Sequence, residues 1–272
     1  MYVFIKKNKK LKKIILVVTL FLALGNAQAQ QAFKWPGGKK AAIILTYDDA
    51  LQSQLNIVAP QLLKYKLTGT FFLDGKVSKP DMERWRHLSK AGNELANHSL
   101  YHPCSVKAYK AAHYSEDYTV AGTIKEIGMM NAILDSINGH KTRTYAYPCG
   151  MYVANGVDYT DSLIASGIVK YARVGGDNRT AIVSKFNSLD FFKVPSWGVA
   201  KGTEGAALIA AVKETLKANG MLVYMFHGVG GDYLDVSAEA HRELLQFLAE
   251  NKNDVWVGTF QEVLDYVKKY RK

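Results

Sequence analysis

Two adjacent aspartates, Asp48 and Asp49, close an apolar run that begins at Ala41, and further along the chain reads Asn97-His98-Ser99-Leu100-Tyr101-His102-Pro103. One carboxylate with two imidazoles makes a three-ligand set that leaves a position for water, as a hydrolytic metal requires, whereas a structural site is closed by four protein ligands. Asp49, His98 and His102 are the candidate ligands. Asp48 is then the candidate proton acceptor, because a divalent ion brings the pKa of bound water down toward ~7. The i, i+4 spacing of the histidines lets both rings face one point if the chain turns helical after its strand. His227 ends a second apolar run, Met221 to Phe226, where a ring can protonate a departing amine or alkoxide, and Gly228, Gly230 and Gly231 would keep its approach open. Each feature alone has an ordinary reading: Asp-Asp as a turn or helix cap, His227 as a hydrogen-bonded rim residue. His87, His113, His140 and His241 read as plain surface or core histidines.

The elements that must position these groups alternate. Short apolar or β-branched runs occur at 41–47, 70–73, 94–97, 144–147, 170–174, 191–195, 222–226 and 255–257. Helical periodicity lies between most of them: Leu51, Leu55, Val58 and Leu62, with Pro60 expected to bend or end that helix; Ile127, Met130, Leu134 and Ile137; Leu208, Ala211, Val212 and Leu216; Leu244, Phe247 and Leu248; Val263, Tyr266 and Val267. Such alternation predicts an α/β fold, a distorted (β/α) barrel of seven or eight parallel strands in a single domain. Asp48 and Asp49, His98, Pro148 to Gly150 and His227 then all fall at strand C-termini, around one mouth.

The chain opens with a lysine-rich stretch, then the apolar run Ile14 to Gly25 and Asn26-Ala27-Gln28-Ala29, the pattern of a signal peptide over 1–29 cut after Ala29. The apolar run is short of the ~20 residues a membrane span needs, so no stable anchor is expected after cleavage and the protein is expected to be secreted or periplasmic. Residues 30–40 read as a loose leader and 41–272 as the catalytic domain. Six of the 35 Lys and Arg, and none of the 24 Asp and Glu, lie in the first 29 residues, so the net charge of +11 falls to +5 beyond them. That remainder is scattered, which argues against nucleic acid as a partner. A monomer is expected. Cys104 and Cys149 sit beside candidate site motifs; a disulfide suits an exported chain, and two small buried residues sharing a neighbourhood is the other reading.

Thr46-Tyr47-Asp48-Asp49, His98-x-x-x-His102, Tyr147-Pro148-Cys149-Gly150 and the apolar strand ending in His227 resemble, in order and rough spacing, the polysaccharide deacetylases of the NodB-homology type, carbohydrate esterase family 4. The resemblance implies Asp48 as general base, zinc or a similar divalent ion (cobalt, nickel, manganese) on Asp49, His98 and His102, and His227 as general acid. It implies an acetylated carbohydrate polymer or oligosaccharide as substrate, such as an N-acetylglucosamine polymer or acetylated xylan. It further implies Pro148 as a support and the main-chain amide of Cys149 as the oxyanion donor, with Tyr147, Trp197 and Met225 in the substrate pocket. Two departures stand out. The family arginine that orients the base is replaced by Ala146, and Arg173, at the next strand end, is the candidate substitute; the aromatic after proline is replaced by Cys149. The family's Asp and Trp pair has no clean match, Asp177 being the candidate partner of His227. The missing arginine also motivates an alternative, a carbohydrate-binding barrel with impaired turnover. A relative acting on a small cyclic amide fits the export signal poorly.

Overall fold

Ala41–Asp48 is one strand, β1, with every residue buried, as a parallel strand covered on both faces must be. The structure, a computed structural model, describes residues 32–107, 110 and 112–271; the expected signal peptide, 1–29, lies outside the described residues. The other strands are β2 (Thr70–Leu73), β3 (Glu94–Asn97), β4 (Tyr145–Ala146), β5 (Val153–Ala154), β6 (Val157–Asp158), β7 (Ala172–Val174), β8 (Ile182–Val183), β9 (Val194–Pro195), β10 (Trp197–Gly198), β11 (Met221–Phe226) and β12 (Val255–Val257). Along the path β10-β11-β1-β2-β3-β4-β7-β9 every pairing is parallel. Only Ser196 separates β9 from β10 in sequence, so the chain itself joins the two ends of the path. The result is a nearly closed barrel of eight strands in a single domain, and the expected fold holds. β12 lies beside the start of β1, β8 runs antiparallel to β11, and β5 with β6 forms a separate hairpin. β10 is absent from the sequence expectation because Pro195 and Gly198 read as turn residues.

Alternation decides which side chains meet. Ala42, Ile44, Phe72, Ala96, Ala146, Val194, Met221 and Val223 form one cluster, and residues from strands so far apart around the sheet can touch only inside it. Ile43, Leu45, Tyr47, Phe71, Leu73, Leu95, Leu222 and Tyr224 belong to the other cluster, packed with the helices Ala59–Tyr65, Met82–Lys90, Val120–Asn138, Gly205–Lys217 and Ala238–Glu250. Continuing the inward parity by steps of two brings Asp48, His98, Arg173 and His227 to the inner face at the C-terminal end.

One expectation is corrected here and another refined. Pro60 does not end its helix: the backbone stays helical from 52 to 65, wider over Gln54–Val58 and regular over Ala59–Tyr65, so the missing N–H of Pro60 is met by a local widening just before it. The leader is not loose from Phe33 onward. Trp35 is buried, its ring lies 5.3 Å from Phe186 and 6.2 Å from Tyr266, and its indole N–H donates to the Asn219 carbonyl at 3.2 Å. Two aromatic residues in the leader, Phe33 and Trp35, were apolar surface that had to be buried.

His241 is a core histidine. Gln61 donates its amide to the Ala238 carbonyl, so its Oε1 is left to accept from His241 Nδ1 at 2.6 Å, and Nε2 then accepts from the Tyr47 hydroxyl at 2.9 Å. Burial pulls this imidazole down to about 3. In the unfolded chain it titrates near ~6.5. Between those values the unfolded state binds more protons, so the stability is complete above pH 6.5 and is lost as pH falls, on the order of 4 to 5 kcal/mol by pH 3. Thermal melts from pH 7 to pH 4 should show this acid limb, and His241→Gln should flatten it; identical limbs would reject the assignment.

Candidate active site

β1 ends in Asp48, and the chain then turns sharply through Asp49 at φ 77 and Ala50 at φ 53, left-handed positions that non-glycine residues adopt only under constraint. The constraint is local. The Gln54 side chain donates to the Asp48 carbonyl at 2.5 Å and to the His227 carbonyl at 3.3 Å, tying the ends of β1 and β11 together. Registers Leu73↔Asn97 and Asn97↔Tyr145 then set His98 just past the end of β3, level with the end of β1.

The two histidines do not lie on a helical turn. Residues 98–103 form an irregular loop with Ser99 at φ 64 and His102 at φ 50. Its shape is dictated by side chains: Asn97 accepts from the Ser99 amide at 2.7 Å, the Ser99 hydroxyl from the His102 amide at 2.9 Å, and buried Glu126 from the amides of Leu100 at 2.9 Å and Tyr101 at 2.5 Å. Both rings still reach one point. His98 Nε2 is 3.5 Å and His102 Nε2 3.4 Å from Asp49 Oδ1, and the two nitrogens are 3.1 Å apart.

These three atoms fit a divalent ion. A point equidistant from them lies about 1.9 Å from each, close to the roughly 2.0–2.2 Å at which zinc holds imidazole and carboxylate. Asp49 Oδ1 is buried yet accepts no hydrogen bond among the described residues, while Oδ2 takes one from the Tyr233 hydroxyl, so one oxygen is fixed and the other is left for a cation. His98 Nδ1 lies 2.9 Å from the Ala146 carbonyl, which can only accept, so the proton sits on Nδ1 and the Nε2 lone pair faces the site. Burial holds both imidazoles below their ordinary value, which favours the neutral form a metal needs. For Asp49 burial acts upward, but His98, His102, Lys76 and His227 outweigh it and bring the carboxyl down to about 2. A second cluster, His102 with Cys104 and Cys149, is equally close, but its cysteines are bonded to each other and offer no thiolate.

Asp48 stands beside the triangle, its Oδ2 3.7 Å from His98 Nε2. Its Oδ1 pairs with Arg173, whose guanidinium is buried, lies 4.6 Å above the Phe72 ring and donates to Ser196 Oγ at 3.4 Å. Ala146 is the register partner of Arg173, and its small side chain leaves the interior clear for that reach. His227 Nε2 lies 3.8 Å from Asp49 Oδ2, and its Nδ1 is buried with no hydrogen-bond partner among the described residues.

Not every expected residue comes to the site. Tyr147 is 2% exposed, packed among Tyr145, Tyr152 and Tyr159, and presents no wall to a pocket. Trp197 is mostly core, its ring 5.4 Å from Tyr224; Met225, by contrast, keeps the inward parity of its strand, and its Sδ accepts at 3.8 Å from the Ser196 hydroxyl that also takes Arg173. Asp177 is exposed and caps its own turn at Arg179 and Thr180. The glycines after His227 fold the loop back on itself, with Gly228 bonded to Tyr233 and Val236 and Gly230 to Val236, rather than keeping an approach open. Pro148 opens the short turn Pro148–Gly150 that presents Cys149 at φ 53, and Cys149 is bridged to Cys104.

Four residues escaped the sequence reading. Gln54, Glu126 and Tyr233 position the site, and Lys76 lies 4.0 Å from Asp49 Oδ1. Glu126 alone left a signal, an acid beside Ile127 on a buried helix face that is otherwise apolar but for Thr123. Tyr233 and Lys76 sit in loops, where periodicity carries no information.

Known proteins resemble this chain in part of its sequence and in its fold. A 76-residue stretch is 33% identical to the peptidoglycan-N-acetylmuramic acid deacetylase PdaA of Bacillus subtilis, and the match spans 28% of that relative's length and 26% of this chain. A polysaccharide deacetylase structure from Mycobacterium smegmatis, described as putative, superposes with a TM-score of 0.61 at 17% identity, covering 86% of this chain and 92% of that one. A mutant, with restored enzymatic activity, of a CE4-family pseudoenzyme from Bacillus anthracis superposes at 0.54 and 20% identity, covering 84% and 69%. At such identities these structures establish the fold. Residues 36–164, just under half of the chain, match the profile of the polysaccharide deacetylases, and over that segment the expected resemblance to this family holds.

Proposed function

We propose that the protein is a secreted or periplasmic, metal-dependent hydrolase that removes acetyl groups from a polysaccharide or oligosaccharide, an N-acetylglucosamine polymer or an acetylated xylan. One observation carries the reading: Asp49, His98 and His102 converge on a single point while Asp48 stays outside the set and ion-paired. Imidazole and carboxylate ligands favour zinc, with cobalt, nickel and manganese close behind. A disulfide and the leader pattern support export.

When bound, a divalent ion supplies Lewis acidity toward the acetyl oxygen and water. The chain's own groups do the proton work. Arg173 occupies Asp48 Oδ1, so Oδ2 is the oxygen free to take the water proton as the nucleophile forms. The Cys149 amide donates to the oxyanion of the tetrahedral adduct, a main-chain role that its altered side chain does not disturb. His227 then protonates the departing sugar nitrogen or oxygen, and acetate leaves.

The deciding assay is acetate release from chitooligosaccharides, peptidoglycan and acetylxylan in parallel. Chelation should abolish release, and added zinc or cobalt should restore it; release that persists in chelator would reject the metal. Polysaccharide retention without any release would instead favour the binding barrel. Its motive, the absent family arginine, is weakened by the Arg173–Asp48 pair.

A further inference from the structure

This inference rests on the metal-hydrolase reading above. Two loops that carry site groups are joined covalently. One leaves β3 and bears His102 and Cys104; the other leaves the adjacent β4 and bears Cys149, and the bridged Cα atoms are 5.8 Å apart. Each loop holds a non-glycine residue in the left-handed region at the bridge, His102 at φ 50 and Cys149 at φ 53, conformations that persist only where their surroundings enforce them.

The two histidines are aimed differently. His98 is fixed by a hydrogen bond from Nδ1 to the Ala146 carbonyl at 2.9 Å. His102 turns Nε2 toward Asp49 and His98, and its Nδ1 faces the sulfur of Cys104 at 3.6 Å, a weak acceptor that cannot orient a ring as a carbonyl does. The aim of His102 therefore comes from its backbone, held by the Ser99 hydroxyl on one side and on the other by Cys104, whose main chain pairs with His113 and Ser115 and whose sulfur is tied through the bridge to the β4 loop. Cys104 is fully buried, whereas Cys149 is exposed and open to a reductant.

We propose that the Cys104–Cys149 bridge is a positioning element of the ion site: it holds His102 in ligand geometry and fixes the turn that presents the Cys149 amide, so ion affinity and turnover both depend on the oxidised bond. Reduction by a tertiary phosphine breaks the S–S bond. The phosphine gives two electrons to the sulfurs, water gives two protons to form the thiols, and the water oxygen leaves on the phosphine oxide.

The test compares three full-length samples: oxidised wild type, the Cys104→Ser/Cys149→Ser variant, and wild type reduced with phosphine, alkylated at the exposed Cys149 thiol and desalted. Cobalt and zinc affinities are measured by calorimetry, the cobalt absorption spectrum by titration, and kcat and KM for acetate release separately, with circular dichroism as a check on folding. Both bridge-free samples should bind the ion about 10- to 100-fold more weakly, the scale of lost outer contacts around a metal. They should also show an altered cobalt spectrum and a lowered kcat at nearly unchanged KM, since an oxyanion donor acts in the transition state. Should the double variant fail to fold, the alkylated sample, opened after folding, decides. Folded bridge-free protein that binds cobalt and turns over like the oxidised form would overturn the proposal alone. Oxidised wild type that binds no divalent ion would overturn the metal-hydrolase reading beneath it.

Discussion

Asp48→Asn should lower acetate release about 10²- to 10⁴-fold, the range for loss of a general base, while the protein keeps its divalent ion. The separation of these two effects is the useful part. Asp49 Oδ1 lies within 3.5 Å of both imidazole nitrogens, whereas Asp48 Oδ2 stands 3.7 Å from one of them and its other oxygen is taken by Arg173. Asparagine preserves shape but cannot accept the proton. It also leaves a buried guanidinium without its counter-charge, at a cost of roughly 3–5 kcal/mol in stability. Kinetics should therefore be run well below the melting temperature, with ion affinity measured on the same sample. An unchanged rate would remove Asp48 from the mechanism, and loss of the ion together with the rate would make it a ligand instead.

Arg173→Gln should be nearly as damaging, and its signature is a split between rate and ion affinity. The guanidinium is 1% exposed and is the cation that pairs with the equally buried Asp48. Without it, Asp48 loses the partner that fixes Oδ1 and leaves Oδ2 facing the site, so kcat should fall about 10²-fold or more while ion affinity stays, and stability should fall by about 3–5 kcal/mol. A purely structural arginine would lower stability and leave kcat, measured well below the melting temperature, where it was. Arg173→Lys should restore the charge but not the flat contact with Phe72, and so recover only part of the rate.

The sequence was most legible where period and chemistry coincide. β1, β2, β3 and β12 appear almost where expected, and β1 and β2 are mostly apolar, as strands buried on both faces are. Asp48, Asp49, His98 and His102 could be found because a charged or ligating residue straight after such a run has few places to go. Legibility failed in the loops. The His98–His102 spacing suggested a helical turn, but Asn97, Ser99 and Glu126 bond the backbone into a different shape, and only three-dimensional neighbours reveal that. Tyr147 looked like a pocket wall because it precedes Pro148; it is instead committed to a cluster of tyrosines. The pairing of Cys104 with Cys149 depended on a separation that no linear pattern encodes.

Ala146 and Arg173 are register partners on neighbouring strands, at one height on the inner wall. A ring of parallel strands makes such positions equivalent in reach, so a charge required at a given spot can migrate sideways by one stave without disturbing the chemistry it serves. Comparison by alignment column finds that charge missing; comparison by location in space finds it paired with Asp48.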